Sequence, residues 1–312
     1  MTTVTNISNK FPSTLIRGLN FAGKFRITGV LGEGGIARVF RARHIDDNRE
    51  VALKVFPQEN RAIAASEQTA LLKALGNPHM VQLYTSGTCE LEGQQLFYLE
   101  MECIEGRDLA HLLMNASHRF TMGRSLEIAL QICRGLSAGD FVHGDIKPSN
   151  IMVWNGSLKM LDPVARMEGM FAGTPKYMSP EQLRGETPDK LSDMYSLGLV
   201  LYEMIFNQPP FEVEDEDILE QCVQYSAVRK KDLAIKDDRL PLQMKSLMEN
   251  MLKAEKEQRY QSFEEIIKEI EAIKEQIPRL LNEWIAIENL VEEPDDPPTV
   301  SLKQPIIKSI IN

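Results

Sequence analysis

The chain is poor in cysteine and tryptophan and has no long apolar run. Its four cysteines, Cys89, Cys103, Cys133 and Cys222, lie scattered, without a C-x-x-C pair or a histidine at metal-ligand spacing. That argues against a disulfide framework or a structural zinc site, and predicts small core residues in a reducing compartment. No apolar stretch approaches the roughly 20 residues that a membrane span requires. The first fourteen residues lack the basic-then-apolar layout of a secretory leader and read as a frayed end. A cytoplasmic location is expected, with export by a less regular leader as the alternative. Acidic residues outnumber basic ones, 45 to 35, for a net charge of −10. This balance argues against nonspecific binding of nucleic acid or anionic membranes. No Gly-Lys-Ser/Thr step marks a P-loop, and no Ser, Thr or Tyr occurs from Pro163 to Gly173.

What is present is organised around Phe141-Val142-His143-Gly144-Asp145-Ile146-Lys147-Pro148-Ser149-Asn150. The polar cluster sits between two apolar runs and reads as a loop pinned at both ends by buried strands, a rigid way to display reactive groups. Asp145 can accept a hydroxyl proton, Lys147 can neutralise a transferred group, and the Asn150 amide oxygen can hold Mg²⁺. The bland alternative is a capped turn between two strands. Upstream, two strands flank Leu31-Gly32-Glu33-Gly34-Gly35-Ile36-Ala37-Arg38-Val39, and Val51-Ala52-Leu53-Lys54-Val55 supplies a third. Glycines let backbone amides approach phosphates closely, and a lysine in the third strand can reach the α- and β-phosphates. Residues 60–75 are helical in composition, with Leu71, Leu72 and Leu75 on one face. Two further strands are predicted over 80–84 and 95–101, and a helix over 125–136. Asn155-Gly156 marks a hairpin that delivers Asp162, and Pro163 biases Asp162 toward extended backbone.

These motifs resemble, as a set and in order, those of eukaryotic-like serine/threonine protein kinases of the bacterial type, from about Phe25 to Ile273. Residues 143–150 resemble H-R-D-L-x-x-x-N with Gly144 in place of arginine, and 31–39 with Lys54 resemble the Gly-rich loop and V-A-I-K strand, with Ala37 replacing the last glycine. Gly173-Thr174-Pro175-Lys176-Tyr177-Met178-Ser179-Pro180-Glu181 resembles G-T-x-x-Y-M-A-P-E. Asp162-Pro163-Val164 stands where D-F-G would, the largest departure. The resemblance implies an α+β, two-lobed fold: a small antiparallel-sheet lobe with one helix, and a larger, mostly helical lobe. The expected layout is a flexible segment at 1–22, a kinase domain at 23–277 (small lobe 23–101, hinge 102–107, large lobe 108–277), and a C-terminal helix with an acidic Pro-rich tail at 278–312.

It further implies ATP with Mg²⁺, or Mn²⁺, as cofactors and a protein as acceptor. Lys54, Asp145, Lys147 and Thr174 would be catalytic, and Asn150 and Asp162 would hold metal. Met101 would be the gatekeeper, Glu102 to Ile104 the hinge, and Asp108 the acid near the ribose or a helix N-cap. Asp193, Glu181 and Arg259 would be structural. Two registers compete for the helix partner of Lys54, Glu67 and Gln68; a neutral amide would leave the ammonium unpaired, which favours Glu67. The acidic run Glu212, Glu214, Asp215, Glu216, Asp217 reads as a helix start, with a docking patch for basic acceptors as the alternative. The missing loop hydroxyls and arginine imply activity independent of activation-loop phosphorylation. The rival reading is a pseudokinase scaffold, supported by Pro163-Val164.

Overall fold

Alternating apolar residues and turn glycines build the small lobe from β1 (Asn20–Phe21), β2 (Phe25–Glu33), β3 (Arg38–His44), β4 (Glu50–Pro57), α1 (Arg61–Lys73), β5 (Leu83–Leu91) and β6 (Gln94–Glu102). The computed structural model describes residues 11–12, 15, 17–34, 36–114, 120–154, 156–163, 174–213, 217–238 and 240–276. The strands form one antiparallel sheet in the order β1-β2-β3-β4-β6-β5. Register puts Val39 opposite Lys54, and Ala52 opposite Met101. The strand that leaves the glycine-rich segment therefore runs beside the lysine, and Met101 comes in on the other edge of β4.

The larger lobe follows with β7 (Arg107–Asp108), α2 (Leu109–Met114), α3 (Met122–Ser137), β8 (Ile151–Trp154), β9 (Ser157–Met160), α4 (Pro180–Leu183), α5 (Lys190–Phe206), α6 (Ile218–Val228), α7 (Leu242–Met251) and α8 (Phe263–Gln276). A small sheet, β7-β8-β9, carries the residues that follow the central loop. Helix α3 packs between α5 and α8, and α5 against α7. Helix α5 is apolar on most of its surface and buried accordingly. It begins with a capping box between Asp189 and Ser192 and ends at Asn207, whose left-handed backbone stops it. The two-lobed α+β architecture is thus present.

Several local expectations need correction. The strand predicted over 80–84 begins at Leu83 and runs to Leu91, while Met80 makes only an isolated bridge to Met160. The reason is a tight hairpin at Glu92-Gly93, both at positive φ (52° and 75°), which fixes where β5 ends and β6 begins. Of the three leucines only Leu71 is buried; Leu72 on α1 and Leu75 beyond its end are exposed, because the helix docks by Ala64, Glu67, Ala70 and Leu71. Phe141 is buried but belongs to no strand, so the central loop is pinned by a strand on one side only. The helix expected near Leu280–Leu290, the tail, Asn155 and Glu214, Asp215 and Glu216 lie outside the described residues.

The segment assigned as flexible, 1–22, is also corrected where it is described. Phe11, Leu15 and Phe21 are buried in the small lobe's outer cluster with Phe25, Phe40 and Tyr98. Phe21 pairs with Phe25 across β1 and β2, and the Arg38 guanidinium lies 4.6 Å from the centre of the Phe11 ring. Apolar residues widely spaced in a polar segment gave no periodic signal. Truncating one of them should cost what a core truncation costs. Phe11→Ala is expected to lower stability by about 3 kcal/mol in urea unfolding; an unchanged midpoint would mean that this segment does not pack.

Candidate active site

Residues 143–150 are held from below by one carboxylate. Asp193, within α5 and 1% exposed, accepts the backbone N–H of His143 and of Gly144, each at 2.7 Å. Gly144 takes φ +77°, a backbone that side-chain-bearing residues rarely adopt. Its carbonyl accepts from Gln182 Nε2 at 3.0 Å. His143 is fully buried and its Nδ1 accepts the Asp145 N–H at 3.3 Å. Burial holds this imidazole down at about 4, against the pull of nearby Asp145, so it is neutral at physiological pH.

Above that anchor the polar groups converge. Lys147 Nζ lies 2.7 Å from Asp145 Oδ2 and donates to Thr174 Oγ1 at 3.0 Å. Asn150 Nδ2 donates to the carbonyl and to Oδ2 of Asp145, both at 3.0 Å. The Leu161 N–H donates to the Asn150 carbonyl at 2.8 Å, which brings Asp162 next to this cluster. Asp162 has φ +54°, so the extended backbone expected from Pro163 does not occur. Aspartate tolerates this region better than most residues, and the turn swings its carboxylate onto Lys54 at 2.9 Å.

Lys54 is 7% exposed and donates to both carboxylate oxygens of Glu67 at 2.8 Å. Gln68 instead donates to Ser86 Oγ, so of the two registers the structure has Glu67 facing the lysine. Burial disfavours the Lys54 ammonium, but Asp162 and Glu67 outweigh it and hold the group well above its ordinary range. Burial pushes Glu67 up to about 7 against the pull of Lys54. For Asp162 burial acts upward as well, yet Lys54 and then Lys147 bring it below the usual carboxylate range.

The glycine-rich segment joins β2 to β3. Leu31, Gly32 and Glu33 end β2, Gly34 donates to the Ala37 carbonyl at 3.0 Å, and Arg38 donates to Glu33 at 2.7 Å. Ala37 is buried and Val39 lies in β3; Gly35 is outside the described residues. Met101 is buried at the end of β6, and the Glu102 carboxylate is bound by Lys159 at 2.6 Å. Asp108 accepts the His111 N–H at 2.7 Å, capping α2. Glu181 and Arg259 form a buried two-point pair at 2.8 and 2.9 Å, away from the cleft. Asp217 caps α6. Residues 164–173 lie outside the described residues.

Sequence reasoning missed three supports. Asn60 donates to the Ile36 carbonyl at 2.7 Å and ties the glycine-rich turn to the start of α1. Gln182 holds Gly144, and Lys159 holds the hinge glutamate. Each acts on a partner remote in the chain, so spacing gives no signal for it.

The donor set fits a hard divalent cation. Asn150 uses its amide nitrogen internally, leaving the amide oxygen as acceptor, and Asp162 supplies a carboxylate nearby. Among the described residues no cluster of three or more His, Cys, Asp or Glu makes a self-contained cage. A sparse pair of oxygen ligands is what Mg²⁺ takes when water and phosphate oxygens complete its octahedron.

With this geometry established, comparison with known proteins gives a consistent answer. The family model for the protein kinase domain matches residues 25–270. The chain belongs to the protein kinase family. Among curated proteins, one described as a probable serine/threonine-protein kinase of Streptomyces coelicolor is 31% identical over 308 residues, covering 90% of this chain and 45% of that protein. The serine/threonine-protein kinase PknB of Mycolicibacterium smegmatis is 33% identical over 238 residues, 68% of this chain and 36% of the relative. The Myxococcus xanthus kinase pkn3 is 32% identical over 221 residues, 62% and 40%. The chain thus spans less than half the length of these relatives. No helix among the described residues is long and apolar enough to cross a membrane.

Two measurements check this architecture. Arg259→Leu leaves Glu181 buried without its partner and is expected to cost about 3 kcal/mol or more. Adding Glu181→Leu should recover part of that loss in a double-mutant cycle, and strict additivity would deny the pairing. The second is acid unfolding. His143, depressed in the fold from 6.5 to about 4, contributes stability that is full above pH 6.5 and lost as pH falls toward 4. The stability difference between wild type and His143→Phe should therefore shrink across that window; a constant difference would mean that His143 titrates normally.

Proposed function

We propose that this chain is a serine/threonine protein kinase, transferring the γ-phosphoryl group of ATP to a protein hydroxyl. The observation that carries the reading is the convergence of Asp145, Lys147, Asn150 and Thr174 beside Lys54, Glu67 and Asp162, seven residues drawn from both lobes. Mg²⁺-ATP, when bound, supplies the phosphoryl group and the metal charge that neutralises it. The protein contributes positioning and electrostatics. Lys54, kept charged by its two carboxylates, is the group for the α- and β-phosphates. Asn150 and Asp162 are the oxygen donors for metal, a set that suits Mn²⁺ as well as Mg²⁺. Leu31 to Val39, Met101, Glu102 and Asp108 line the nucleotide. Asp145 accepts the acceptor's hydroxyl proton while Lys147 offsets charge on the transferring group. Thr174, bonded to Lys147, belongs with serine/threonine rather than tyrosine acceptors. The four free thiols fit action in a reducing cytoplasm.

We also infer that transfer needs no activation-loop phosphate. No hydroxyl is available from Pro163 to Gly173, and Gly144 offers no guanidinium to receive one. Support for the loop comes instead from Asp193, Gln182 and the Lys147–Thr174 bond.

The test is incubation of the full chain with labelled ATP and Mg²⁺ or Mn²⁺, with and without a generic protein acceptor. Asp145→Asn is expected to lower transfer by about a thousandfold with an unchanged melting temperature, and Lys54→Met to abolish it. Equal rates in Asp145→Asn and wild type would refute the role of Asp145 as the proton acceptor. Silence in wild type, with no ATP-induced rise in melting temperature, would favour the pseudokinase scaffold.

A further inference from the structure

Arg229 closes the C-terminal end of α6 and is the largest fully buried side chain, 1% exposed. It makes no ion pair among the described residues. A buried cation without a counter-charge is costly unless dipoles and π-faces replace its water. Here they do. Nη1 donates to the carbonyls of Pro175, at 3.1 Å, and of Met178, while Nη2 donates to that of Lys176 at 2.5 Å. The rings of Tyr225, Phe211 and Tyr195 surround the guanidinium at 4.5, 5.3 and 5.9 Å.

The carbonyl left over, that of Tyr177, accepts from Ser196 Oγ at 2.8 Å. Four consecutive carbonyls, 175 to 178, are thus each held by a side-chain donor, three of them by one arginine. The segment they belong to starts at Thr174, whose hydroxyl is bonded to Lys147, which is paired with Asp145. Lys176 and Tyr177, partly exposed, both bond to Glu203 at 2.7 Å, so the segment's outer side is fixed as well.

We propose that Arg229 is a positioning residue for the protein acceptor: it sets the backbone of residues 175–178 as the platform against which an acceptor segment lies, in register with Asp145. This rests on the kinase reading above. Arg229 touches neither the glycine-rich turn nor Lys54, so its effect falls on the acceptor and not on the nucleotide. A lysine could not substitute, because a single ammonium cannot reach three carbonyls in a plane while lying among three rings.

The experiment uses the full chain with casein as acceptor, or the Asp145→Asn chain as acceptor where only self-labelling occurs. Losing one to two charge-assisted hydrogen bonds, Arg229→Lys is expected to raise the acceptor KM about tenfold, with the KM for ATP unchanged. Amide exchange at Tyr177 and Met178, whose N–H groups close the turn onto Thr174 and Pro175, should quicken in Arg229→Lys and further in Arg229→Met. Should Arg229→Met fail to fold, Arg229→Lys carries the test. Tyr225→Leu removes the nearest ring but none of the guanidinium's hydrogen bonds, and should leave exchange in 174–178 unchanged. Transfer with an unaltered acceptor KM, a parallel rise in the KM for ATP, or unchanged exchange in both arginine variants would each overturn the role of Arg229 while leaving the kinase reading intact. A wild-type chain that labels neither casein, the Asp145→Asn chain nor itself would overturn the kinase reading, and the acceptor role with it.

Discussion

Two backbone N–H groups on one buried carboxylate set the position of the loop at 143–150. Asp193 lies in a largely buried helix of the large lobe, so the amides of His143 and Gly144 inherit the rigidity of α5. From there the loop has little freedom. Gln182 draws in the Gly144 carbonyl, His143 receives the Asp145 amide, and Asn150 bonds back to Asp145. Gln182 is itself fixed, in a capping box with Ser179 and one residue from the buried Glu181–Arg259 pair. A charge buried with all its partners satisfied is worth more as a fixed point than as a source of stability. The reactive groups are preorganised because their supports lie in the core and not at the surface.

The upper half of the cleft is balanced differently. Lys54 is shared by Glu67 from α1 and Asp162 from just beyond β9, one ammonium for two carboxylates. With both ionised, Lys54 faces more negative charge than it carries. The excess can be relieved by a proton on Glu67, which burial raises to about 7, or by a cation beside Asp162. The arrangement also couples the lobes, since α1 and β4 belong to one and Asp162 to the other. The altered triplet after Leu161 does not remove this link. The positive φ of Asp162 turns its carboxylate inward, and the fixed φ of Pro163 follows immediately.

Local sequence carried much of this. The lobes, the strand bearing Lys54, the loop at 143–150 and the pairing of β8 with β9 are all visible because each depends on neighbours within a few residues. The α1 register was not, since Glu67 and Gln68 both stand one turn before a leucine; only the docking of α1 on the sheet decides between them. The leucines misled for the same reason: Leu72 and Leu75 follow the helical period but face outward. Phe11 and Leu15 were hidden in a polar segment, because burial there comes from a sheet face built later in the chain. At Asp162 the local preference of the residue before proline gives way to its bond to Lys54. Arg229 gave no signal at all, as its partners are three backbone carbonyls some fifty residues away.

These constraints bear on why an arginine is missing beside Asp145. The backbone of Gly144, at φ +77°, is one that a side chain would strain. An arginine there would have to adopt that backbone while its N–H still donates to Asp193. The segment from Pro163 to Gly173 carries no hydroxyl for a kinase to modify, so such an arginine would have no phosphate to receive. In place of a charge that comes and goes, the loop is held by Asp193, by Gln182 and by a lysine–threonine bond, none of which depends on modification. On the proposed reading, such a site is set when the chain folds.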